Sequence, residues 1–226
     1  MKITFLCTGA ADWPLEKPSD YTEFRRLSSA LIDNSLLIDP GPQVLDALKE
    51  LGISLSKIKY VIITHRHKDH FNADTLKALE DGGASLIEFF TGEEKTVGDY
   101  EILAFNGNHA TSEGTLHYII KKDGKVLFYG LDGAWLLYDE VAAIKKHKPD
   151  LAVLDATIGD IDGDYRIFEH NNLSMVLQMQ QSLKQYVKRF CISHMARTLH
   201  TDHNTLSEKM KKHDVITAYD GLCIEI

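Results

Sequence analysis

One short segment, HRHKDH at residues 65–70, limits what this chain can fold into more than any other feature. It follows an apolar run rich in Val and Ile, which is typical of a buried strand. Alternate residues of an extended segment point to the same side, so we expect His65 and His67 to bind one ion together. After a turn, Asp69 and His70 can reach a second ion. A solvated loop with coincidental histidines is the alternative, and the complete pattern behind a strand disfavours it.

The donor types of this segment indicate which ions to expect. Imidazole nitrogen and carboxylate oxygen suit zinc, manganese and iron. Two such ions about 3.5–4 Å apart can hold a bridging hydroxide and stabilise both the attacking and the leaving oxygen of a hydrolysis. The segment therefore predicts two divalent metal ions, zinc or manganese, with iron as a further option.

The amino-acid composition limits the classes of partner that this chain can bind. The 226 residues are 44% hydrophobic, enough for a core without disulfides, and the formal net charge of −8 argues against a large nucleic-acid surface. A small phosphate-bearing substrate stays compatible, because a bound metal supplies positive charge. The 3 cysteines, at Cys7, Cys191 and Cys223, are too scattered for a disulfide framework or a zinc ribbon.

Targeting and domain signals are weak along the whole chain. The first apolar run is too short for a signal peptide, and no segment approaches the roughly 18 apolar residues of a membrane helix. No linker or low-complexity stretch divides the sequence. We therefore expect a cytoplasmic protein without a membrane partner, formed by a single domain over residues 1–226.

Apolar periodicity predicts many strands mixed with helices, which favours mixed sheets over one doubly wound parallel sheet. Asp33-Asn34 and Asp123-Gly124 are typical hairpin turns. Strands are predicted at residues 2–7, 29–32, 35–38, 59–64, 85–90, 100–106, 116–121, 125–129, 151–155, 189–193, 215–218 and 222–226. Helices are predicted after Pro42 up to residue 51, and at residues 73–81, 136–147, 173–186 and 205–212.

The pattern H-x-H-x-D-H after a buried strand resembles the signature of the metallo-β-lactamase superfamily. This resemblance implies an α/β (α+β) protein, a four-layer αβ/βα sandwich with its metals in a cleft at one edge. It also implies three later ligands, each at the end of a predicted strand: His109 on the first metal, Asp132 bridging both metals, and His194 on the second. Asp69 and Asp132 would hold the ions and orient the nucleophile.

Three N-terminal segments, LCTGAA, FRRLSS and LIDPGP, are similar to one branch of that superfamily. The branch contains the phosphodiesterase of the carbon–phosphorus lyase pathway and the tRNA 3′-processing endonucleases. Its members carry a further histidine that assists the leaving group, and His170 matches it. Arg25 or Arg26, just before Ser28, could bind a phosphate, with surface solvation as the equal alternative.

Two departures narrow the expected substrate. The cysteines cannot reproduce the extra zinc site of the carbon–phosphorus lyase enzyme, and nothing resembles the tRNA-binding arm of the endonucleases. The expectation is a compact hydrolase for a small phosphodiester or cyclic nucleotide. Hydrolysis of a lactone, thioester or carboxyl ester at the same site, and a non-catalytic metal-binding protein, are the alternatives; a homodimer is possible.

Several polar residues outside the signature stay open. His200 and His203 could be alternative ligands, substrate contacts or part of a helix start for which Asp202 is the expected cap. His147 and His213 end predicted helices, where positive charge is favourable without any function. Asp155 ends a predicted strand and could orient a ligand histidine.

Overall fold

The computed structural model describes residues 1–109, 111 and 114–226. Two mixed sheets form its centre. The first has the strand order β13-β1-β2-β3-β4-β5 and the second the order β12-β11-β10-β9-β8-β7-β6. The strands are β1 (Lys2–Cys7), β2 (Ser29–Ile32), β3 (Leu36–Ile38), β4 (Tyr60–Ile62), β5 (Ser85–Leu86), β6 (Glu94–Val97), β7 (Tyr100–Asn106), β8 (Leu116–Lys122), β9 (Lys125–Gly130), β10 (Leu151–Asp155), β11 (Phe190–Ser193), β12 (Val215–Thr217) and β13 (Cys223–Glu225).

Helices cover the outer faces of both sheets. Helices α1 (Val44–Glu50) and α2 (Ala73–Asp81) follow β3 and β4, whereas α3 (Tyr138–His147), α4 (Leu173–Leu183) and α5 (His203–Lys211) follow strands of the second sheet. Short 3₁₀ helices lie at Leu55–Lys57 and Tyr165–Phe168. Asp202 caps α5 by accepting a hydrogen bond from the Thr205 amide, which confirms its predicted role.

Alternating side chains divide the apolar core into three clusters. In β8, Tyr118 and Ile120 point between the two sheets, whereas Ile119 points to the helices on the second sheet. In β3, Leu36 points between the sheets and Leu37 packs with α1 and α2. Three apolar interfaces require four layers, so the predicted four-layer sandwich is confirmed.

Both predicted hairpin turns are present. Asp33 and Asn34 have φ values of 49° and 56°, and Asp123 and Gly124 have 51° and 71°. These left-handed conformations are those of a type I′ turn, whose twist matches the adjoining antiparallel strands. The second turn joins β8 to β9 with Lys122 opposite Lys125.

Some predicted boundaries are wrong. The strand predicted at residues 85–90 ends at Leu86, and β6 was not predicted because its sequence, EKTV, is mostly polar. Helix α4 ends at Leu183, three residues before its predicted end. The first and last residues of these strands and helices depend on strand pairing and tertiary packing, which local hydrophobic periodicity does not report.

Candidate metal site

The signature segment follows β4 and turns back on itself, with the amides of His70 and Phe71 both donating to the carbonyl of His67. His109 follows β7, Asp132 follows β9 and His194 follows β11. The structure therefore brings together strand ends from both sheets at one edge of the sandwich.

All seven sequence-predicted ligands come together in two adjoining groups. His65, His67, His109 and Asp132 form one, and Asp69, His70, Asp132 and His194 form the other. Within each group the candidate ligand atoms lie within 4.8 Å of one another. Asp132 belongs to both groups, which is the placement needed to link two ions.

The contacts around Asp132 fit a cation site better than a hydrogen-bond network. Its Oδ2 lies 3.1 Å from Nε2 of His65 and 3.0 Å from Nε2 of His70, and its Oδ1 lies 3.0 Å from Nε2 of His194. Nevertheless, His65 Nε2 and Asp132 Oδ1 are buried without a hydrogen-bond partner among the described residues. Buried donor and acceptor atoms without partners are costly, and a divalent ion would satisfy both of them.

Two pairs of imidazole nitrogens also face each other at the same distance. Nε2 of His70 lies 3.2 Å from Nε2 of His194, and Nδ1 of His67 lies 3.2 Å from Nε2 of His109. Each pair belongs to a different ligand group. The nitrogen and oxygen donors of this cluster are suited to zinc, manganese or iron.

The two groups differ in their ionisation. Burial lowers the pKa of His65, and burial lowers the pKa of His109 to about 4. Burial also acts to lower the pKa of His70 and His194, but Asp132 outweighs it, so both values are raised well above the ordinary one. In the first group, His65 and His109 thus offer neutral imidazoles. In the second group, His70 and His194 hold protons.

The carboxylates of the cluster stay ionised because the protonated histidines lower their pKa values. Burial acts to raise the pKa of Asp132, but His194 and His70 outweigh it and hold the value well below normal. His70 likewise keeps the pKa of Asp69 low against the effect of burial. Both carboxylates are therefore anionic ligands at neutral pH.

Buried carboxylates outside the ligand groups orient the second group. Asp39 Oδ2 accepts a hydrogen bond from Nδ1 of His70 at 2.8 Å. Nδ1 of His194 donates to Thr157 Oγ1 at 2.7 Å, and that hydroxyl donates to Asp155 Oδ2 at 2.8 Å. Asp155 therefore lies where the sequence placed it, behind a site histidine. The contribution of Asp39 was missed.

Three residues of the site have an unusual backbone conformation. Asp39, Asp132 and His194 have φ values of 63°, 54° and 62°, in the left-handed region that non-glycine residues rarely adopt. Each follows directly or closely after a strand end. Such conformations cost about 1–3 kcal/mol each and persist only where surrounding contacts fix them.

His170 lies beside the second group. Its Nδ1 is 3.0 Å from Asp155 Oδ2 and 3.6 Å from Asp132 Oδ1, and its ring stacks on His194 with centroids 5.5 Å apart. Burial acts to lower its pKa, but Asp155 outweighs it and the pKa is raised. His170 thus holds a proton beside the cluster more tightly than an ordinary histidine does.

The cluster opens into a cavity of about 200 Å³ whose lining includes His67, Asp132, Arg166, Glu169 and His170. The guanidinium of Arg166 forms two hydrogen bonds to Asp164, from Nε at 2.9 Å and from Nη2 at 2.6 Å. Sequence reasoning missed Arg166. The signal was its position four residues before His170, in the segment that leads to α4.

The predicted substrate contacts lie elsewhere. Arg25 is buried, donates to Thr8 Oγ1 and to the Ala218 carbonyl, and lines a different cavity, of about 320 Å³. Arg26 pairs with Glu50 at 2.5 Å, and Ser28 Oγ donates to the Gly9 carbonyl. None of the three lines the cavity at the metal cluster.

Two histidines left open by the sequence have other partners. His200 Nε2 donates to the Ala156 carbonyl at 2.6 Å, and His203 Nδ1 lies 3.1 Å from the guanidinium of Arg25. Neither belongs to a ligand group among the residues that the structure describes.

Comparison with known sequences gives partial matches. A family model described as anti-Pycsar protein Apyc1 matches residues 1–79. A UPF0173 protein of Pyrococcus abyssi is 32% identical over 113 residues, covering 42% of this chain and 51% of the relative. A UPF0173 protein of Pyrococcus furiosus is 29% identical over 112 residues, covering 42% and 50%. The chain thus spans about half the length of these curated relatives.

Comparison with solved structures covers the whole chain. The metallo-β-lactamase fold protein YhfI of Bacillus subtilis superposes with a TM-score of 0.76 at 16% identity, covering 100% of this chain and 99% of YhfI. A diphosphatase of the PhnP family gives 0.72 at 17% identity, with 100% and 97% covered. The short form of human tRNase Z gives 0.72 at 16%, with 100% and 99% covered.

These superpositions show that the chain has the metallo-β-lactamase fold, as the resemblance of its signature segment implied. The neighbours also include members of both groups that the N-terminal segments resemble. Within the described ranges, no helix has the length and apolar character required to cross a bilayer.

Proposed function

We propose that this protein is a dinuclear metal-dependent hydrolase whose single domain, residues 1–226, cleaves a small phosphodiester such as a cyclic nucleotide. One observation carries the proposal: the carboxylate of Asp132 contacts ring nitrogens from both ligand groups within 3.0–3.1 Å. A carboxylate in that position is suited to bridge two ions.

The proposed ligand sets follow the two groups. His65, His67 and His109 bind the first ion, Asp69, His70 and His194 bind the second, and Asp132 is shared. When bound, two divalent ions would lower the pKa of water toward neutrality and offset negative charge on phosphate oxygens. Zinc and manganese suit these ligands best, with iron as the further option.

His170 is proposed to assist the leaving group. Its Nδ1–H faces Asp155, so the carboxylate fixes the ring and favours its protonated form. The other ring nitrogen, Nε2, can then donate a proton to the departing alkoxide oxygen, which becomes a hydroxyl group. Positioned acid catalysis of this kind contributes about 10²–10⁴-fold to a rate.

Arg166 is the proposed phosphate contact in place of Arg25 and Arg26. Its guanidinium lines the cavity, and Asp164 holds it in a fixed orientation through two hydrogen bonds. Guanidinium groups bind phosphate oxygens with directed, charge-assisted hydrogen bonds. A cavity of about 200 Å³ with one such cation fits a small anionic ester.

The test is metal analysis combined with turnover of bis(p-nitrophenyl) phosphate and cyclic nucleotides by native protein and by Asp132→Ala. Native protein should contain close to two ions per chain, and the variant should lose metal and activity. Asp150→Ala is the matched control, because Asp150 is also buried but lies just before β10, at the end of that strand away from Asp155 and the metal cluster, bonded to Lys188 and to the Val126 amide.

Parallel assays with a lactone, a thioester and nitrocefin separate the alternatives. Turnover of these substrates without phosphodiesterase activity would move the assignment to carboxyl-type hydrolysis. A metal-replete protein inert toward every substrate would indicate a non-catalytic metal-binding protein. Phosphodiesterase activity in metal-free protein would refute the proposal.

A further inference from the structure

A second buried histidine–carboxylate pair lies beneath the metal cluster, outside both ligand groups. The ring of His117 is 1% exposed and Glu140 is 0% exposed, and Nδ1 of His117 lies 2.5 Å from Oε1 of Glu140. Oε2 of Glu140 accepts from the Leu137 amide at 2.7 Å, which ties the pair to the start of α3. Burying two ionisable groups is costly, so the pair requires an explanation.

The other ring nitrogen points at the loop that carries Asp132. Nε2 of His117 donates to the Leu131 carbonyl at 3.0 Å. Leu131 precedes Asp132, whose left-handed φ of 54° has to be maintained by neighbouring contacts. The hydrogen bond fixes the peptide group directly before that residue.

The same ring is enclosed by glycines from both adjoining loops. A Cβ atom at Gly133 would lie 2.6 Å from His117 Cε1, and one at Gly107 would lie 2.8 Å from its Nε2. Gly107 leads to His109, and Gly133 follows Asp132. The close approach of backbone to the imidazole therefore places both ligand-bearing loops against one rigid side chain.

Hydrogen bonds join the two loops to each other above this ring. The Ala134 amide donates to the Asn108 carbonyl at 2.9 Å, and Asn108 Nδ2 donates to the Ala134 carbonyl at 2.6 Å. Displacing the loop of Asp132 would therefore also move the residue before His109. Anchoring the His117 ring therefore affects the positions of two ligands, Asp132 and His109.

We propose that the His117–Glu140 pair is a positioning element that fixes the loops of Asp132 and His109 in the geometry required for metal binding. The inference rests on the proposed function, because it concerns the same metal site. The imidazole holds the Leu131 carbonyl and the two glycine-containing loops, and Glu140 holds the imidazole.

The test compares His117→Leu with Ile120→Ala. Ile120 lies in the same strand and is equally buried, but its side chain packs between the sheets. Zinc affinity is measured by competition with a chromophoric chelator, the absorption spectrum of cobalt-loaded protein reports ligand geometry, and thermal unfolding of metal-free protein reports stability. We expect H117L to raise the zinc Kd by about 10–100-fold and to alter the cobalt spectrum. I120A should lose stability with native-like metal binding.

Glu140→Gln supplies the conservative variant. Its amide oxygen can accept from the Leu137 amide while its NH₂ group donates to a neutral His117, so the bond to the Leu131 carbonyl survives. We expect metal binding close to native. If H117L does not fold, Glu140→Ala replaces it, because this variant keeps the ring and removes its anchor, and its zinc Kd should rise.

The outcomes separate the two proposals. Native-like zinc affinity and cobalt spectrum in folded H117L, or in E140A where H117L does not fold, would overturn the positioning role alone. An E140Q variant as impaired as H117L would also overturn it, since the retained hydrogen bonds would then be irrelevant. Native protein that binds neither zinc nor cobalt would refute the proposed function, and this inference with it.

Discussion

The carboxylate of Asp39 lies 2.8 Å from Nδ1 of His70, and both side chains are fully buried. The same carboxylate accepts from the Thr64 amide at 2.6 Å and from the Thr64 hydroxyl at 2.8 Å. Asp39 follows β3 and Thr64 closely follows β4, so one carboxylate links two parallel strands to the signature segment. Its contacts direct Nε2 of His70 toward the other ligand atoms.

Replacement of Asp39 by Asn is therefore expected to weaken the second ligand group. The amide keeps the size and tolerates the left-handed backbone, but one of its two heavy atoms can no longer accept a hydrogen bond. We expect zinc affinity of the second group to fall by about 10–100-fold. Metal-free protein should lose about 1–3 kcal/mol of unfolding free energy, because a buried donor loses its acceptor.

Asp33→Asn is the matched control for this change. Asp33 also has a left-handed backbone, with a φ of 49°, and it also accepts from a backbone amide, that of Lys2. It lies in the β2–β3 hairpin, outside the ligand groups. Equal metal affinity in both variants, measured by calorimetric titration, would show that Asp39 has no specific role at the metal site.

Metal affinity of the two groups is expected to depend differently on pH. His65 and His109 have lowered pKa values, the latter about 4, so these two ligands of the first group bind an ion without releasing protons near neutrality. His70 and His194 have raised values and must lose protons before they can bind. Titrations from pH 6 to 9 should show two steps, and the affinity of the second group should rise more steeply with pH than that of the first. Two steps with the same slope would contradict this assignment.

The stability of metal-free protein should decrease as the pH rises above neutrality, whereas the metal affinity of the second group should increase. The raised pKa values of His70 and His194 contribute stability that is complete below about 6.5, the unfolded value, and is lost as pH rises through the folded values. The lowered value of Asp132 contributes stability that is present above about 3.9 and is lost as pH falls. The lowered values of His65 and His109 act in the other direction, because they destabilise the fold as pH falls below about 6.5. Thermal unfolding midpoints of chelator-treated protein should therefore be highest near that pH and decline on either side. A midpoint that rises steadily to pH 9 would be inconsistent with protonated His70 and His194.

The sequence indicated the ligands because each ligand-bearing segment begins with a histidine or an aspartate within three residues of the end of an apolar strand. His65, His109, Asp132 and His194 all have this placement, and the four-layer sandwich brings such strand ends to one edge. Hydrophobic periodicity predicts the strands. The order of the ligands along the chain follows from the resemblance of the signature segment to the metallo-β-lactamase superfamily. This combination made the grouping of these side chains predictable.

The supporting contacts were less predictable. In the sequence, Asp39 stands out only as part of the LIDPGP segment, because nothing local shows that its side chain reaches His70, 31 positions along the chain. The position of Arg166 depends on an irregular segment with only a 3₁₀ turn. Arg25 and Arg26 were predicted from their charge and their position just before Ser28. Burial of Arg25 against Ala218 depends on contacts between distant parts of the chain.

Arg166→Ala is expected to weaken phosphodiester turnover without changing metal content. A charge-assisted hydrogen bond contributes about 1.5–3 kcal/mol, and the partial exposure and Asp164 partner of Arg166 favour the low end, so kcat/KM should fall about tenfold. Arg26→Ala removes the same charge outside the cavity and should leave kcat/KM unchanged. Steady-state kinetics with bis(p-nitrophenyl) phosphate distinguishes the two. A larger loss in R26A than in R166A would return the phosphate contact to the sequence-predicted arginine.

Replacement of His170 by Ala should reduce kcat more strongly for a substrate with a poor leaving group than for one with a good leaving group. An alkoxide leaves slowly without a proton donor, so we expect a loss of about 10²–10⁴-fold with a cyclic nucleotide and a much smaller loss with bis(p-nitrophenyl) phosphate, whose phenolate needs little assistance. The raised pKa of His170 predicts that native activity on the poor leaving group declines as the pH rises through that pKa, and the variant should lack this limb. His200→Ala, which changes another partly buried histidine outside the ligand groups, is the control. Equal losses with both leaving groups, or a fall in metal content, would identify His170 as a ligand or a structural residue instead of the proton donor.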